Sequence, residues 1–163
     1  MNSLEVKKQI QLAAVEAHLN CNGKSQICLA VSMGKTHCAI NRFLDYKKHN
    51  DNFKALFTGA RDVYNVNFQK ELEKSNNLHL LNNITFICNK SLKNYTDVEF
   101  DICVIDEIHR EPDLTLNFIK EYINKYPKIE ILGLTGTPLS SKSEIGLEQQ
   151  KVLPISFYKK LDD

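Results

Sequence analysis

Asp101-Ile102-Cys103-Val104-Ile105-Asp106-Glu107-Ile108-His109 is an apolar run that ends in two adjacent carboxylates. Its length and its Ile, Cys and Val content suit a strand buried on both faces. Such a strand implies a parallel sheet with helices on either side, and ligands of these sheets bind at the carboxyl ends of the strands. The apolar run therefore fixes Asp106 and Glu107 at that edge instead of leaving them as two solvated acids in a loop.

Four more runs of the same kind lie along the chain: Gln26–Val31, Lys54–Thr58, Ile84–Cys88 and Glu130–Leu134. Stretches with helical spacing separate them. Leu4–Leu19 places Val6, Ile10, Ala13, Ala14 and Ala17 at helical intervals, and Asn22-Gly23 ends it. Lys35–Lys47, Asp62–Lys74 and Pro112–Lys125 are the other expected helices, with Pro112 suited to a first turn. Strand–helix alternation of this kind predicts an α/β fold.

Two further motifs fall at strand ends. Leu29-Ala30-Val31-Ser32-Met33-Gly34-Lys35-Thr36 closes the first run and opens a helix. A tight loop there offers backbone N–H groups from Ser32, Met33 and Gly34 to phosphate. Lys35 offers the cation and the Thr36 hydroxyl a Mg²⁺ ligand. The usual pattern has glycine at the place of Leu29 or Ser32, and only Gly34-Lys35-Thr36 is intact. The other motif is Ile131-Leu132-Gly133-Leu134-Thr135-Gly136-Thr137-Pro138, whose small hydroxyls could reach the carboxylates of the neighbouring strand. At the acidic pair, Asp106 can hold Mg²⁺, and Glu107 can orient and deprotonate an attacking water.

Lysine loop, acidic pair and threonine turn, in that order, resemble motifs I, II and III of superfamily 2 helicases and translocases. The likeness is nearest to the DExH group that includes restriction-enzyme motor subunits. It implies a RecA-like P-loop lobe over residues 1–147 that binds ATP and Mg²⁺. It also implies a coupling role for His109, Thr135 and Thr137 between nucleotide and nucleic acid. Leu56–Arg61 resembles motif Ia and Phe86–Leu92 motif Ib, which in the family touch the sugar-phosphate backbone. Thr58, Arg61, Lys90 and Ser91 are the matching positions, although Ala60 stands near the family's usual proline. The implied partner is nucleic acid, with DNA ahead of RNA. Either Gln9 or Gln11 would read adenine. Residues 148–163 match the linker toward a second lobe, which in the family completes the ATP cleft and supplies an arginine finger.

Composition bounds the reading. The chain has 163 residues, 42% hydrophobic and 25% charged, with a formal net charge of +1. That is one ordinary globular domain with no strong overall field for a polyanion, so a nucleic-acid face must be local. No apolar run reaches the roughly 20 residues of a membrane span, and Met1–Gln11 has no signal core, so an intracellular, cytoplasmic location is expected. The five cysteines lack CxxC spacing, so neither zinc nor a disulfide framework is expected. His18, His37, His49 and His79 read as surface or core filler, and Phe43, Tyr46, Phe53 and Phe57 as core. Two competing functions remain open. One is a nucleotide-binding regulatory or scaffold domain without turnover. The other is a small P-loop kinase, which leaves Asp-Glu-Ile-His and Thr-Gly-Thr-Pro without a role.

Overall fold

A computed structural model of the chain describes residues 2–60 and 63–160. Its helices are α1 (Ser3–Asn20), α2 (Lys35–His49), α3 (Val63–Lys74), α4 (Pro112–Lys125) and α5 (Glu144–Val152). Its strands are β1 (Lys24–Leu29), β2 (Ala55–Gly59), β3 (Ile84–Cys88), β4 (Ile102–Ile105), β5 (Glu130–Thr135) and β6 (Ile155–Lys159). They form one sheet in the order β3-β2-β4-β5-β1-β6, and every pairing is parallel. All five expected strands and all four expected helices are present.

Local chemistry sets the element ends. The Asn2 side chain accepts the Glu5 N–H at 2.8 Å and caps α1, while Asn22 and Gly23 take left-handed backbone at its end. Pro112 occupies the first turn of α4, and the Ser143 side chain caps α5 through the Gly146 N–H. β4 shows why its run lacks alternation. Ile102 and Val104 enter the core under α1, α2 and α3, whereas Cys103 and Ile105 enter the core under α4. Both faces are apolar because both are covered.

Of residues 148–163, expected to be a linker, 148–160 instead continue the lobe, and 161–163 lie outside the described residues. Residues 148–152 complete α5, and β6 pairs with β1 from Gln26↔Ile155 to Leu29↔Lys159. The segment was misread because β6 is short and half-exposed, so it carries no long apolar run.

The amino edge of the sheet holds a buried polar cluster. Arg42 donates from Nε and Nη2 to the two Glu130 carboxylate oxygens, both at 2.8 Å. His18 Nε2 lies 3.0 Å from Glu130 Oε2, and His18 Nδ1 2.7 Å from Ser25 Oγ. A carboxylate only accepts, so His18 Nε2 is the donor to Glu130. The Tyr46 hydroxyl donates to Glu130 at 2.9 Å. Burial alone would raise the Glu130 carboxyl, but the bonds and charge from Arg42 and His18 hold it down to about 2. His18, read as filler, is a fully buried link between α1, β1 and β5. Because α1 turns Gln11, Ala14 and His18 inward, Val6, counted on its inner face, is exposed.

Candidate functional site

The carboxyl ends of β1, β4 and β5 bring the three motifs together. Lys35, the first residue of α2, reaches across to Glu107, with Nζ 3.4 Å from Oε1. The turn after β5 lies against the same lysine: a Cβ on Gly136 would stand 3.4 Å from both Lys35 Nζ and the Leu29 carbonyl. The Asp106 carboxylate accepts the Glu107 N–H at 3.0 Å. Lys35, Asp106 and Glu107 share a cleft of about 630 Å³ with Ser32, Gly34 and Thr36.

The loop before α2 keeps the conformation of its missing glycine. Ser32, at the place of that glycine, has φ 72, a left-handed conformation that glycine adopts freely and serine adopts at a cost. Gly34 has φ 95, and a Cβ there would collide with Gln11 Nε2. The geometry at both positions is therefore glycine geometry, although only one is glycine. Gln11 is buried and donates to the Met33 carbonyl at 3.4 Å, so it supports the loop directly. Gln9 is exposed on α1 and makes no such contact.

Motif II is held from several sides. Asp106 N–H donates to the Thr58 carbonyl at 2.8 Å and Ile108 N–H to the Leu134 carbonyl at 3.0 Å. Glu107 is left-handed at φ 51. Besides Lys35, it has His109 Nε2 at 3.3 Å and Arg110 Nε at 3.9 Å. His109 Nδ1 lies 2.8 Å from Thr135 Oγ1, which also accepts the Thr137 N–H at 3.0 Å. The threonine turn was expected to reach the carboxylates, but Thr135 reaches His109 instead. Burial lowers the His109 pKa, and the Glu107 charge only partly opposes that.

The expected nucleic-acid residues divide. Thr58 is fully buried, its hydroxyl donating to Asn89 Oδ1 at 2.8 Å, so it is not a surface contact. It was misread because the last residues of a central strand lie under the loops, not on them. Lys90 is exposed and Ser91 half-exposed, both just after β3. Arg61 lies outside the described residues. Sequence reading passed over Asn89, Glu111 and Gln149. Gln149 reaches from α5 to donate to the Ile108 carbonyl at 3.2 Å. Only side-chain geometry reveals these, since an isolated polar side chain leaves no pattern in the sequence.

Residues 51–140 match the family model of the type III restriction enzyme res subunit. The chain belongs to that family. No curated protein matches it. Among solved structures, the UvsW helicase of bacteriophage T4 is similar over 93% of this chain and 58% of its own, at 16% identity and TM-score 0.69. The SWI2/SNF2 ATPase core of Sulfolobus solfataricus, in complex with dsDNA, is similar over 88% and 35%, at 19% identity and TM-score 0.61. The DUF1998 helicase MrfA, bound to DNA and AMPPNP, is similar over 94% and 26%, at 14% identity and TM-score 0.66. The fold of this res-subunit family member is thus the RecA-like lobe seen in superfamily 2 helicase cores. The chain spans between about a quarter and three-fifths of the length of these structures. Among the described residues, no helix is long and apolar enough to cross a membrane.

Burial is the main reason that the Asp106 carboxyl stands at about 6 instead of 3.8, with the Glu107 charge adding to it and Lys35 opposing it. A carboxyl raised in the folded state costs stability above that folded value, and the cost vanishes below the ordinary value. The difference corresponds to about 3 kcal/mol. Asp106→Asn should therefore unfold at higher urea than wild type at about pH 8, with the gain gone near pH 4. Equal stability at both pH values would show that Asp106 is not under this strain.

Proposed function

We propose that this chain is the ATP-Mg²⁺-binding lobe of a nucleic-acid helicase or translocase, holding nucleotide in the cleft at Lys35, Asp106 and Glu107. The observation that carries the reading is the cluster itself: a cation at the start of α2, after β1, meets two carboxylates at the end of β4, across the intervening β5, at the carboxyl edge of one parallel sheet. Membership of the res-subunit family supports it.

Each residue has a definite task in this reading. The backbone N–H groups of Ser32 and Gly34 would face phosphate oxygens, that of Met33 being held at 3.1 Å by the Ala30 carbonyl, and Lys35 leaves Glu107 to neutralise the phosphates. Mg²⁺, when bound, would offset negative charge on the phosphates. Thr36 and Asp106 would hold it. Among the described residues no three His, Cys, Asp or Glu side chains form a cage, and Mg²⁺ in nucleotide sites needs only one or two protein ligands beside phosphates and waters. Glu107, released from Lys35, orients the attacking water and takes its proton. Gln11, now placed against the loop, is the better of the two candidates for the adenine side of the site. His109, joined to Thr135 and beside Glu107, connects the water-activating residue to the threonine turn.

The nucleic-acid partner would meet the loops after β2 and β3, through Arg61, Lys90 and Ser91. Contacts to phosphate carry no sequence information and weaken with salt. Single strands of any sequence should bind weakly. With two phosphate contacts, affinity should fall roughly sevenfold between about 50 and about 200 mM salt. Fluorescence anisotropy on a labelled oligonucleotide measures this. Affinity insensitive to salt, or unchanged in an Arg61→Ala, Lys90→Ala double variant, would remove this track from the proposal.

A further inference from the structure

The loop that carries Asp106 and Glu107 is braced at its start by Thr58 and at its far end by Asn89, two buried residues bonded to each other. At its start, Asp106 N–H donates to the Thr58 carbonyl at 2.8 Å. From the same Thr58, the hydroxyl donates to Asn89 Oδ1 at 2.8 Å, and Asn89 Nδ2 donates to Glu111 Oε1 at 3.3 Å, at the loop's far end. Thr58 is fully buried and Asn89 only 1% exposed. The amide has one possible orientation here, since only its nitrogen can donate to the Glu111 carboxyl oxygen.

Glu111 is the N-cap residue of α4, yet its side chain makes no bond to that helix. It turns to Asn89 instead. Its backbone is left-handed, with φ 47 and ψ 50, and Glu107 is left-handed as well. Each such residue is strained and persists only where its surroundings hold it. Asn89 immediately precedes Lys90 and Ser91, and Thr58 lies at the end of β2. A buried relay therefore runs from the loops after β2 and β3 to the acidic loop after β4.

We propose that Asn89 and Glu111 are positioning residues that tie those loops to the acidic loop, so that a strand held at Lys90 and Ser91 changes the affinity of the nucleotide site. The inference rests on the functional reading above and names its internal connection. Thr58 holds Asp106 from one side while Asn89 holds Glu111 from the other. A displacement of Asn89 thus reaches both ends of the segment that contains Glu107. Coupling is reciprocal, so nucleotide alters strand affinity by the same factor.

The test measures ATP-Mg²⁺ affinity by calorimetry, with and without a saturating thymidine oligonucleotide. It compares wild type, Asn89→Ala, Glu111→Ala and Glu111→Gln. In wild type the strand should shift nucleotide affinity by about fivefold or more, the lower end of common coupling. The ratio should collapse to near one in Asn89→Ala and Glu111→Ala. It should return in Glu111→Gln, whose amide oxygen still accepts from Asn89. A merely structural brace would lower stability and leave the ratio alone. Asn89→Ala leaves the Thr58 hydroxyl without its partner and can fail to fold; Glu111→Ala cuts only the outer bond and then carries the test. A wild-type ratio retained in Glu111→Ala overturns the relay, as does a wild type that binds both ligands independently. A wild type that binds no ATP-Mg²⁺ overturns the functional reading itself.

Discussion

Phosphate release from ATP by the chain alone should run roughly 10³–10⁵-fold slower than by the same lobe joined to a second lobe that supplies an arginine finger. The physical reason is one-sidedness. In the proposed site, Lys35 and an Mg²⁺ on Thr36 and Asp106 would neutralise the phosphates from this lobe only. Water attack spreads charge over the γ-phosphate, and the far side of the cleft needs its own cation. That rate factor is worth about 4–7 kcal/mol of barrier. The chain alone should show little turnover and no stimulation by nucleic acid, while a second lobe, in the same chain or in trans, restores both. Glu107→Gln should then abolish hydrolysis and leave nucleotide binding intact, because the amide cannot take the water's proton. Steady-state phosphate release decides. Brisk, Glu107-dependent, nucleic-acid-stimulated hydrolysis by the chain alone would mean that the cleft is completed in another way.

Arg42→Ala should destabilise the fold by about 3–5 kcal/mol, because it strands the Glu130 carboxylate in the interior. Arg42 and Glu130 are 7% and 6% exposed, and the pair is bidentate at 2.8 Å. At this chain length the loss corresponds to a Tm drop of roughly 10 °C. Replacing both residues by apolar ones, as in Arg42→Met, Glu130→Leu, should cost much less, since no charge is then left buried. Acid should reproduce the effect. Glu130 is held at about 2 against an ordinary 4.5, so its contribution is fully present above pH 4.5 and is lost as pH falls toward 2. Urea denaturation of the single and double variants measures both statements. A single variant as stable as wild type would show the pair to be dispensable.

The backbone architecture was legible because each central strand is apolar on both faces. Runs such as Asp101–Ile105 and Glu130–Leu134 then announce themselves and put their terminal polar residues at one edge. β6 escaped because it is an edge strand whose residues are half-exposed, so its pattern resembles a loop. The lysine loop and the acidic pair were legible at residue level, since Lys35, Asp106 and Glu107 do meet. Illegible were contacts that depend on where a side chain points: Thr58 turning inward to Asn89, Thr135 choosing His109, Gln11 rather than Gln9 facing the loop. His18 shows the same limit, for nothing near it in the chain foretells Glu130 across the sheet edge. Ser32 is a subtler case: the sequence departs from glycine while the backbone keeps glycine's conformation.

Calorimetric titration of ATP-Mg²⁺ into the chain and into its Lys35→Ala variant tests the central claim most directly. Lys35 is the single cation of the phosphate loop, and with nucleotide present it should exchange its 3.4 Å contact with Glu107 for phosphate oxygens. Saturable binding by wild type, with most of the affinity lost in Lys35→Ala, is the result the account predicts. Equal binding by both proteins, or no binding by wild type, would contradict it.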